Sequence, residues 1–203
     1  MATVPSKLID EVLRLGPAPF LKQAGFKKLA RRFVRSVGAS TAHIDFQASQ
    51  WNVKTRARFT INLGSYFPSI AEANGQPIVE DPAKQRLLTA GIRIGHLLPD
   101  PQDYWWSIEP DTNLESLANE LVTVLDKYAS PYLERISTLE GVAEHAGYSP
   151  LVGKYPTLST ASALMLLGRT DEALATFRDY KSQFPNPQPH HVAWELRHAK
   201  GGA

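Results

Sequence analysis

Side chains that could bind an anion recur at every second position in two neighbouring stretches of the chain. In a β-strand alternate side chains point to opposite faces, so these polar side chains share one face if the intervening apolar ones are buried. Guanidinium, amide and hydroxyl groups held together on a sheet suit a carboxylate, a phosphate or a polar protein surface. The candidate binding residues are His43, Asp45, Gln47, Arg56, Arg58, Thr60 and Asn62, joined by Arg93 if a later strand pairs nearby. The competing interpretation is an ordinary solvated sheet face with Arg–Asp pairs between strands.

The same part of the chain carries a strong local excess of positive charge. Between Phe20 and Thr60 there are nine basic residues and one acidic residue, an excess of eight in a chain whose formal net charge is +2. The other residues must therefore carry a net charge of −6 (2 − 8). Such segregation indicates a basic surface that meets an anionic partner.

Single-stranded nucleic acid is one candidate partner for this basic surface. Arg31 and Arg32 lie in its densest run, which could neutralise phosphates, and the interleaved Phe26 and Phe33 could stack on bases. Those two phenylalanines are explained more economically as core residues, and a pI of 8.8 is low for a dedicated nucleic-acid binder. The sequence motifs of RNA-binding sheets are also absent. An acidic protein surface is therefore the preferred partner.

One pattern near the C-terminus has the spacing of metal ligands. His191, Glu195 and His198 fall at i, i+4 and i+7, which places them on one face of a helix. They lie beside a proline-rich spacer and lack the general base of the known zinc-enzyme signatures, so we predict no metal site. The chain has no cysteine, no nucleophile elbow and no phosphate-binding glycine loop. We therefore predict no cofactor and no catalytic residue.

Hydrophobic alternation supplies the strands that would position the candidate side chains. The apolar residues of the two stretches are Ala42, Ile44, Phe46, Ala57, Phe59, Ile61 and Leu63. A short loop containing Trp51 joins the stretches, which predicts an antiparallel hairpin. Further short strands are predicted around residues 31–37, 91–98 and 104–109. On the last of these, Trp105 and Trp106 are adjacent, so at most one can face a groove, and we expect both to pack in the core.

Beyond Pro110 the periodicity becomes helical. Capping boxes formed by Thr112 with Glu115 and by Ser137 with Glu140 predict two helix starts. Residues 155–167 and 171–184 predict a helix pair, and a short helix follows near residues 191–200. We therefore predict an α+β fold: a meandering antiparallel sheet of about five strands with helices packed on one face, plus a C-terminal helical hairpin. The predicted division is an α+β domain over residues 1–147, the hairpin over 148–184, and a proline-rich spacer with a helical tail over 185–203.

Composition favours an ordinary globular protein, since 43% of the 203 residues are hydrophobic and 21% are charged. No apolar run approaches the roughly 20 residues that a membrane helix needs. The N-terminal residues lack the charged start and apolar centre of a secretory signal. We therefore expect a cytoplasmic location and no membrane partner.

Six segments, in order along the chain, carry a family resemblance. They read LKQAGFKKLARRFVR (21–35), IDFQASQW (44–51), RFTINLG (58–64), RIGHLLP (93–99), YWWSI (104–108) and YASPYLERISTLEG (128–141). Together they resemble a bacterial family known as domain of unknown function 4304, over about residues 8–146. The resemblance implies a compact α+β domain. It implies no catalytic residues, because the family has no agreed activity.

Three functional hypotheses follow from these patterns. The first is a cytoplasmic, non-enzymatic binding protein that engages an acidic macromolecular surface, with an immunity or antitoxin-like role as one version by analogy. The second is an enzyme acting on a phosphorylated or carboxylated small molecule, with Arg58, His43 and Asp45 in its site. The third is binding of single-stranded nucleic acid.

Overall fold

The computed structural model describes residues 4–81, 84–85, 88–149 and 153–198. These residues form an α+β fold, which confirms the predicted fold class. Contacts divide the chain into two compact units, one of residues 1–35, 42–63 and 92–133 and the other of residues 36–41, 64–91 and 134–203. The predicted division into an α+β domain, a hairpin and a tail, with boundaries at residues 147 and 184, is about segments that fold independently. It stays a prediction.

The sheet contains six strands in the described part of the chain, against about five predicted. The strands are β1 (Lys27–Leu29), β2 (Arg32–Val37), β3 (Ser40–Ala48), β4 (Ala57–Tyr66), β5 (Ala90–Arg93) and β6 (Trp106–Ile108). Their order is β1-β2-β3-β4-β5, and β6 pairs antiparallel with the start of β4, where Trp106 lies opposite Phe59. The predicted hairpin is thus β3 and β4, which occupy the middle of the sheet.

Nine helices lie within the described residues. They are α1 (Val4–Leu15), α2 (Pro17–Gln23), α3 (Pro68–Ala73), α4 (Leu114–Val124), α5 (Ser130–Arg135), α6 (Leu139–His145), α7 (Leu158–Leu166), α8 (Thr170–Ser182) and α9 (Pro189–His198). A π-helical turn, Leu125–Ala129, connects α4 to α5. Two helices are capped one residue later than predicted, because Asn113 rather than Thr112 accepts the first-turn N–H of α4 and Thr138 rather than Ser137 does so for α6.

A row of aromatic rings defines the inner face of the sheet in the first unit. Phe33, Phe46, Phe59 and Trp106 follow one another across β2, β3, β4 and β6 with ring centroids 5.8, 6.3 and 5.8 Å apart. The Trp106 Nε1–H donates to Glu120 of α4 at 2.8 Å. The buried apolar sides of β3 and β4 are therefore those that the alternation predicted.

The second unit contains the predicted helical hairpin. α7 and α8 form it, and α9 packs against it through Trp194, whose ring stacks on Phe177 at 4.2 Å between centroids. The tail helix predicted near residues 191–200 is α9, and residues 199 and 200 lie outside the described residues. Among the helices described, none combines the length and the apolar character that a membrane crossing requires.

Candidate functional site

The outer face of the sheet is the side of β3 and β4 opposite the aromatic row. It carries most of the predicted binding residues in accessible positions. Those that are exposed or half-buried are Asp45, Gln47, Arg56, Arg58, Asn62 and Arg93. His43 and Thr60 are buried, so the expectation that all eight residues share one accessible surface is wrong for these two.

Each of the two exceptions has a physical reason. The Thr60 hydroxyl donates to the Tyr104 carbonyl oxygen at 2.9 Å, so the segment before β6 covers this position. His43 is only 2% exposed, and its ring nitrogens have no hydrogen-bond partner among the described residues. Burial, with a contribution from the positive charge of Arg32, lowers the pKa of His43 to about 4. At neutral pH His43 is therefore an uncharged interior group and no cation for a ligand.

The arginines of the basic run before β3 are engaged within the protein. Arg31 donates to Asp10 at 2.7 Å and to the Ser6 carbonyl oxygen at 2.7 Å. Arg35 donates to the Ala24 carbonyl oxygen at 2.9 Å and lies 4.7 Å from the centre of the Phe26 ring. Arg32 is half-buried beside His43 and also has an interaction partner. The predicted basic surface thus loses Arg31, which pairs with an acid, whereas Lys27 and Lys28 of the same run are exposed.

A groove on the outer face brings together residues that the sequence places far apart. It has a volume of about 430 Å³ and is lined by residues 47–51, Arg58 and Trp105. We call it the indole groove, after Trp51 and Trp105. Trp51 is 79% exposed, whereas Trp105 is half-buried. Core packing of both Trp105 and Trp106 was therefore the wrong expectation, because the adjacent side chains point to opposite faces and only Trp106 joins the inner row.

Polar contacts hold the Trp105 ring in place. Its Nε1–H donates to Asp103 at 3.2 Å, and the Arg93 guanidinium lies 5.2 Å from the ring centre. Arg93 also donates to Asp103 at 2.5 Å. This hydrogen bond is the main reason that the pKa of Asp103 lies below its usual value. The contacts with Arg93 and Asp103 therefore fix the orientation of the Trp105 ring.

The side chain of Asn52 holds the backbone of Arg58. Its Oδ1 accepts the Arg58 N–H at 2.6 Å, and its Nδ2 donates to the Arg58 carbonyl oxygen at 3.1 Å. The Ser49 N–H donates to the same carbonyl oxygen at 2.8 Å. The start of β4 is thus pinned to the loop that carries Trp51, and Arg58 projects its side chain into the indole groove.

Sequence reasoning missed Asn52, Asp103 and Trp105 as parts of this site. Asn52 has a local signal, because asparagine in a short loop between strands commonly bonds to nearby backbone groups. Asp103 and Trp105 have none, since they reach the groove only through the pairing of β6 with β4.

The histidine pattern near the C-terminus serves the fold. The His191 Nδ1 accepts the Gln188 N–H at 3.1 Å, Glu195 pairs with Lys181 at 2.6 Å, and the His198 Nε2–H donates to the Ala73 carbonyl oxygen at 3.0 Å. The described residues contain no cluster of metal-ligating side chains. These three residues therefore fasten α9 within the second unit.

The described residues thus form an α+β fold with an aromatic and polar groove on the accessible face of an antiparallel sheet. The chain belongs to the family described as Domain of unknown function (DUF4304), whose model matches residues 17–135. The match contains the whole indole groove. Comparison with curated proteins and with solved structures found no match.

Proposed function

We propose that the protein is a cytoplasmic, non-enzymatic binding protein that engages an acidic surface of a partner protein through the indole groove and the arginines around it. The observation that carries this proposal is the exposure of Trp51, 79% of whose surface is accessible, next to Arg58 and Trp105. Tryptophan and arginine dominate the energetics of protein interfaces because they combine large contact area with directional polar groups. In a narrower form of the proposal, the protein neutralises its partner stoichiometrically, as immunity and antitoxin proteins do.

The composition of the groove supports binding over catalysis. Among the described residues, its lining contains amide, hydroxyl, indole and guanidinium groups and no carboxylate or imidazole. Acid–base catalysis needs a group that exchanges protons near neutral pH, and arginine does not. The nearby histidine of β3, His43, is buried and uncharged. The enzyme hypothesis that placed His43, Asp45 and Arg58 in one site therefore loses its histidine, and Asp45, although accessible, does not line the groove.

The charge pattern favours a protein partner over nucleic acid. Arg93 pairs with Asp103, and Arg56 lies 3.9 Å from Glu109, so carboxylates are interspersed with the arginines of this region. A nucleic-acid groove instead follows the phosphates with uncompensated positive charge. Mixed charges around aromatic side chains suit the polar rim and aromatic centre of a protein interface.

Affinity capture from native lysate tests the proposal. The bait is the full chain, compared with an Arg56→Ala/Arg58→Ala variant and with a Lys7→Ala/Lys22→Ala variant. The lysine variant loses the same charge from exposed positions of α1 and α2 and is the matched control. We expect an acidic protein that the wild type and the lysine variant retain and the arginine variant loses. Purified partner must then bind with defined stoichiometry in calorimetry.

Other outcomes of this experiment refute the proposal. Capture of nucleic acid in place of a protein would favour the single-strand hypothesis, for which an exposed tryptophan beside an arginine is also suitable. Equal retention by the wild type and both variants would show that the outer face is not the contact surface.

A further inference from the structure

We propose that the indole groove is a seat for one side-chain carboxylate of the partner, an aspartate or a glutamate bound by Arg58 and Gln47. This inference rests on the proposed function and names the chemical group that the groove would recognise. Three features carry it: a cation with no carboxylate partner among the described residues, an amide donor, and an aromatic wall that is fixed before binding.

Arg58 supplies the cation. Among the described residues, its guanidinium has no hydrogen bond and no carboxylate within ion-pair distance, because its polar contacts with Asn52 and Ser49 pass through the main chain. By contrast, Arg31 pairs with Asp10 and Arg93 with Asp103. The Arg58 guanidinium carbon lies 6.0 Å from the centre of the Trp105 ring. Arg58 therefore presents its donors to whatever enters the groove.

Gln47 supplies a second donor through a relay of hydrogen bonds. Arg93 donates to Asn62 Oδ1 at 3.4 Å, and Asn62 Nδ2 donates to Gln47 Oε1 at 2.8 Å. Because its oxygen is turned toward Asn62, the Gln47 amide has its NH2 group left to donate to a ligand in the groove that it lines. A guanidinium and an amide NH2 together match the acceptor-only character of a carboxylate.

The Trp105 wall of the groove loses little conformational entropy when a ligand binds. Asp103 and Arg93 already fix the Trp105 ring, and Asn52 already fixes the main chain at Arg58. Groups that are positioned in the free protein lose less conformational entropy when a ligand arrives. The exposed Trp51 lines the same groove and adds apolar contact area for the bound segment.

The charge around the groove selects a carboxylate over a phosphate. One guanidinium balances the single charge of an aspartate or glutamate. A phosphomonoester carries about two negative charges at neutral pH, which is more than Arg58 alone balances. A single carboxylate therefore matches the charge of this groove better.

Nuclear magnetic resonance of the indole groups tests the seat directly. The full chain is titrated with a blocked peptide of alternating glycine and aspartate, with its glycine–asparagine counterpart, with inorganic phosphate and with an oligothymidylate. We expect the aspartate peptide to shift the Trp51 and Trp105 Nε1–H signals, and the asparagine peptide to leave them unchanged. Arg58→Gln should weaken this binding at least about tenfold, the scale of a lost charge-assisted contact.

Lys54→Gln is the matched control, because Lys54 is an exposed cation in the same loop that does not line the groove. We expect it to change the affinity less than about twofold, the scale of a screened surface charge. Equal losses of affinity in the Arg58 and Lys54 variants would show that only the net charge matters. That result would contradict the proposed carboxylate site. Tighter binding of phosphate or of the oligothymidylate than of the aspartate peptide would overturn it as well. Circular dichroism of each variant checks that the fold is intact.

The seat can fail while the proposed function stands. If lysate capture of the partner is lost with Trp51→Ala but retained with Arg58→Gln, the groove is an interface without a carboxylate site. If neither variant changes capture, the proposed function fails.

Discussion

Two tryptophans show opposite uses of the same side chain. Trp194 is fully buried, stacked on Phe177, and its Nε1–H donates to Ser162 at 2.8 Å. Ser162 in turn donates to Asn74 at 2.6 Å, so the polar end of the ring is satisfied in the interior. Trp51 is 79% exposed on the loop before β4. Trp194 thus belongs to the packed interior of the second unit, whereas Trp51 in the first unit stays accessible to solvent.

The residues around each tryptophan extend this contrast. Near Trp194, the side chains with metal-ligand spacing are all committed to contacts that hold α9. Near Trp51, the residues match no catalytic or metal-binding motif, yet they include a guanidinium without a carboxylate partner among the described residues. The spacing of polar side chains is therefore a weak guide to function. A better guide is whether their hydrogen-bonding groups already have partners within the fold.

Truncating each ring gives the largest test of the contrast. Trp194→Ala should lower the free energy of unfolding by about 3–5 kcal/mol, because it removes a buried ring and leaves a cavity. Trp51→Ala should change that free energy by less than about 0.5 kcal/mol, since little packing is lost at an exposed site. Urea unfolding followed by circular dichroism measures both values. Similar losses in the two variants would contradict the distinction.

Acid should weaken the buried interior. The pKa of His43 is about 4 in the folded protein against an ordinary value of 6.5, so the unfolded chain binds more protons between these values. Stability is therefore complete above about pH 6.5 and falls toward pH 4, by roughly 3 kcal/mol from this residue. His43→Leu should flatten the dependence in urea unfolding at a series of pH values. The half-exposed His145→Leu is the control, and an equal flattening there would contradict the assignment.

His191 adds a second contribution of the same sign. Burial is the main cause that lowers its pKa, His190 and Lys181 nearby lower it further, and Glu195 opposes them. Its Nδ1 accepts the Gln188 N–H. Protonation of Nδ1 would turn this acceptor into a donor that faces the Gln188 N–H, and the hydrogen bond would be lost. The contacts of α9 should therefore loosen on acidification, with a rise in the exchange of the Trp194 indole proton below about pH 6.5. Exchange that does not depend on pH beyond the intrinsic chemical rate would exclude this contribution.

Removing one hydroxyl tests the polar anchor of Trp194. Ser162→Ala should cost about 1–3 kcal/mol, because the Trp194 Nε1–H and the Asn74 side-chain oxygen lose their buried partner. Ser182→Ala at the exposed end of α8 should cost less than about 0.5 kcal/mol. Thermal unfolding of both variants makes the comparison, and equal midpoints would show that the buried chain of hydrogen bonds adds nothing.

The smallest expected effect concerns the pair behind Trp105. Asp103→Asn weakens the contact with Arg93, and an exposed pair of this kind contributes less than about 1 kcal/mol to stability. The Trp105 Nε1–H resonance should nevertheless move, because its acceptor loses its charge. Asp100→Asn is the neighbouring control. An unchanged Trp105 resonance in the Asp103 variant would show that the pair does not orient the ring.

The inner side of the hairpin could be predicted from the sequence because burial on one side leaves a period of two. Phe46 and Phe59 lie where the alternation puts them. Alternation assigns a side chain to a face but says nothing about what covers that face. The prediction that Thr60 is accessible was therefore wrong, because the segment at Tyr104, more than forty residues later in the chain, covers it.

The groove itself could be predicted only in part. Gln47 and Arg58 belong to neighbouring strands, and their spacing on the hairpin brings them to one face. Trp105 reaches the same groove because β6 pairs with β4, which depends on how a distant segment docks. The charge run was misleading for a similar reason: counting residues cannot show that Arg31 meets Asp10.

Strand β1 gives part of the basic segment a role of another kind. It is the outermost strand in the sheet order, and all three of its residues are exposed. An open strand edge can template pairing with a second polypeptide, and proteins discourage such aggregation by keeping the edge short and lysine-bearing. Lys27 and Lys28 would meet their own copies if two molecules joined edge to edge. Repulsion between the like charges would then oppose such edge-to-edge pairing.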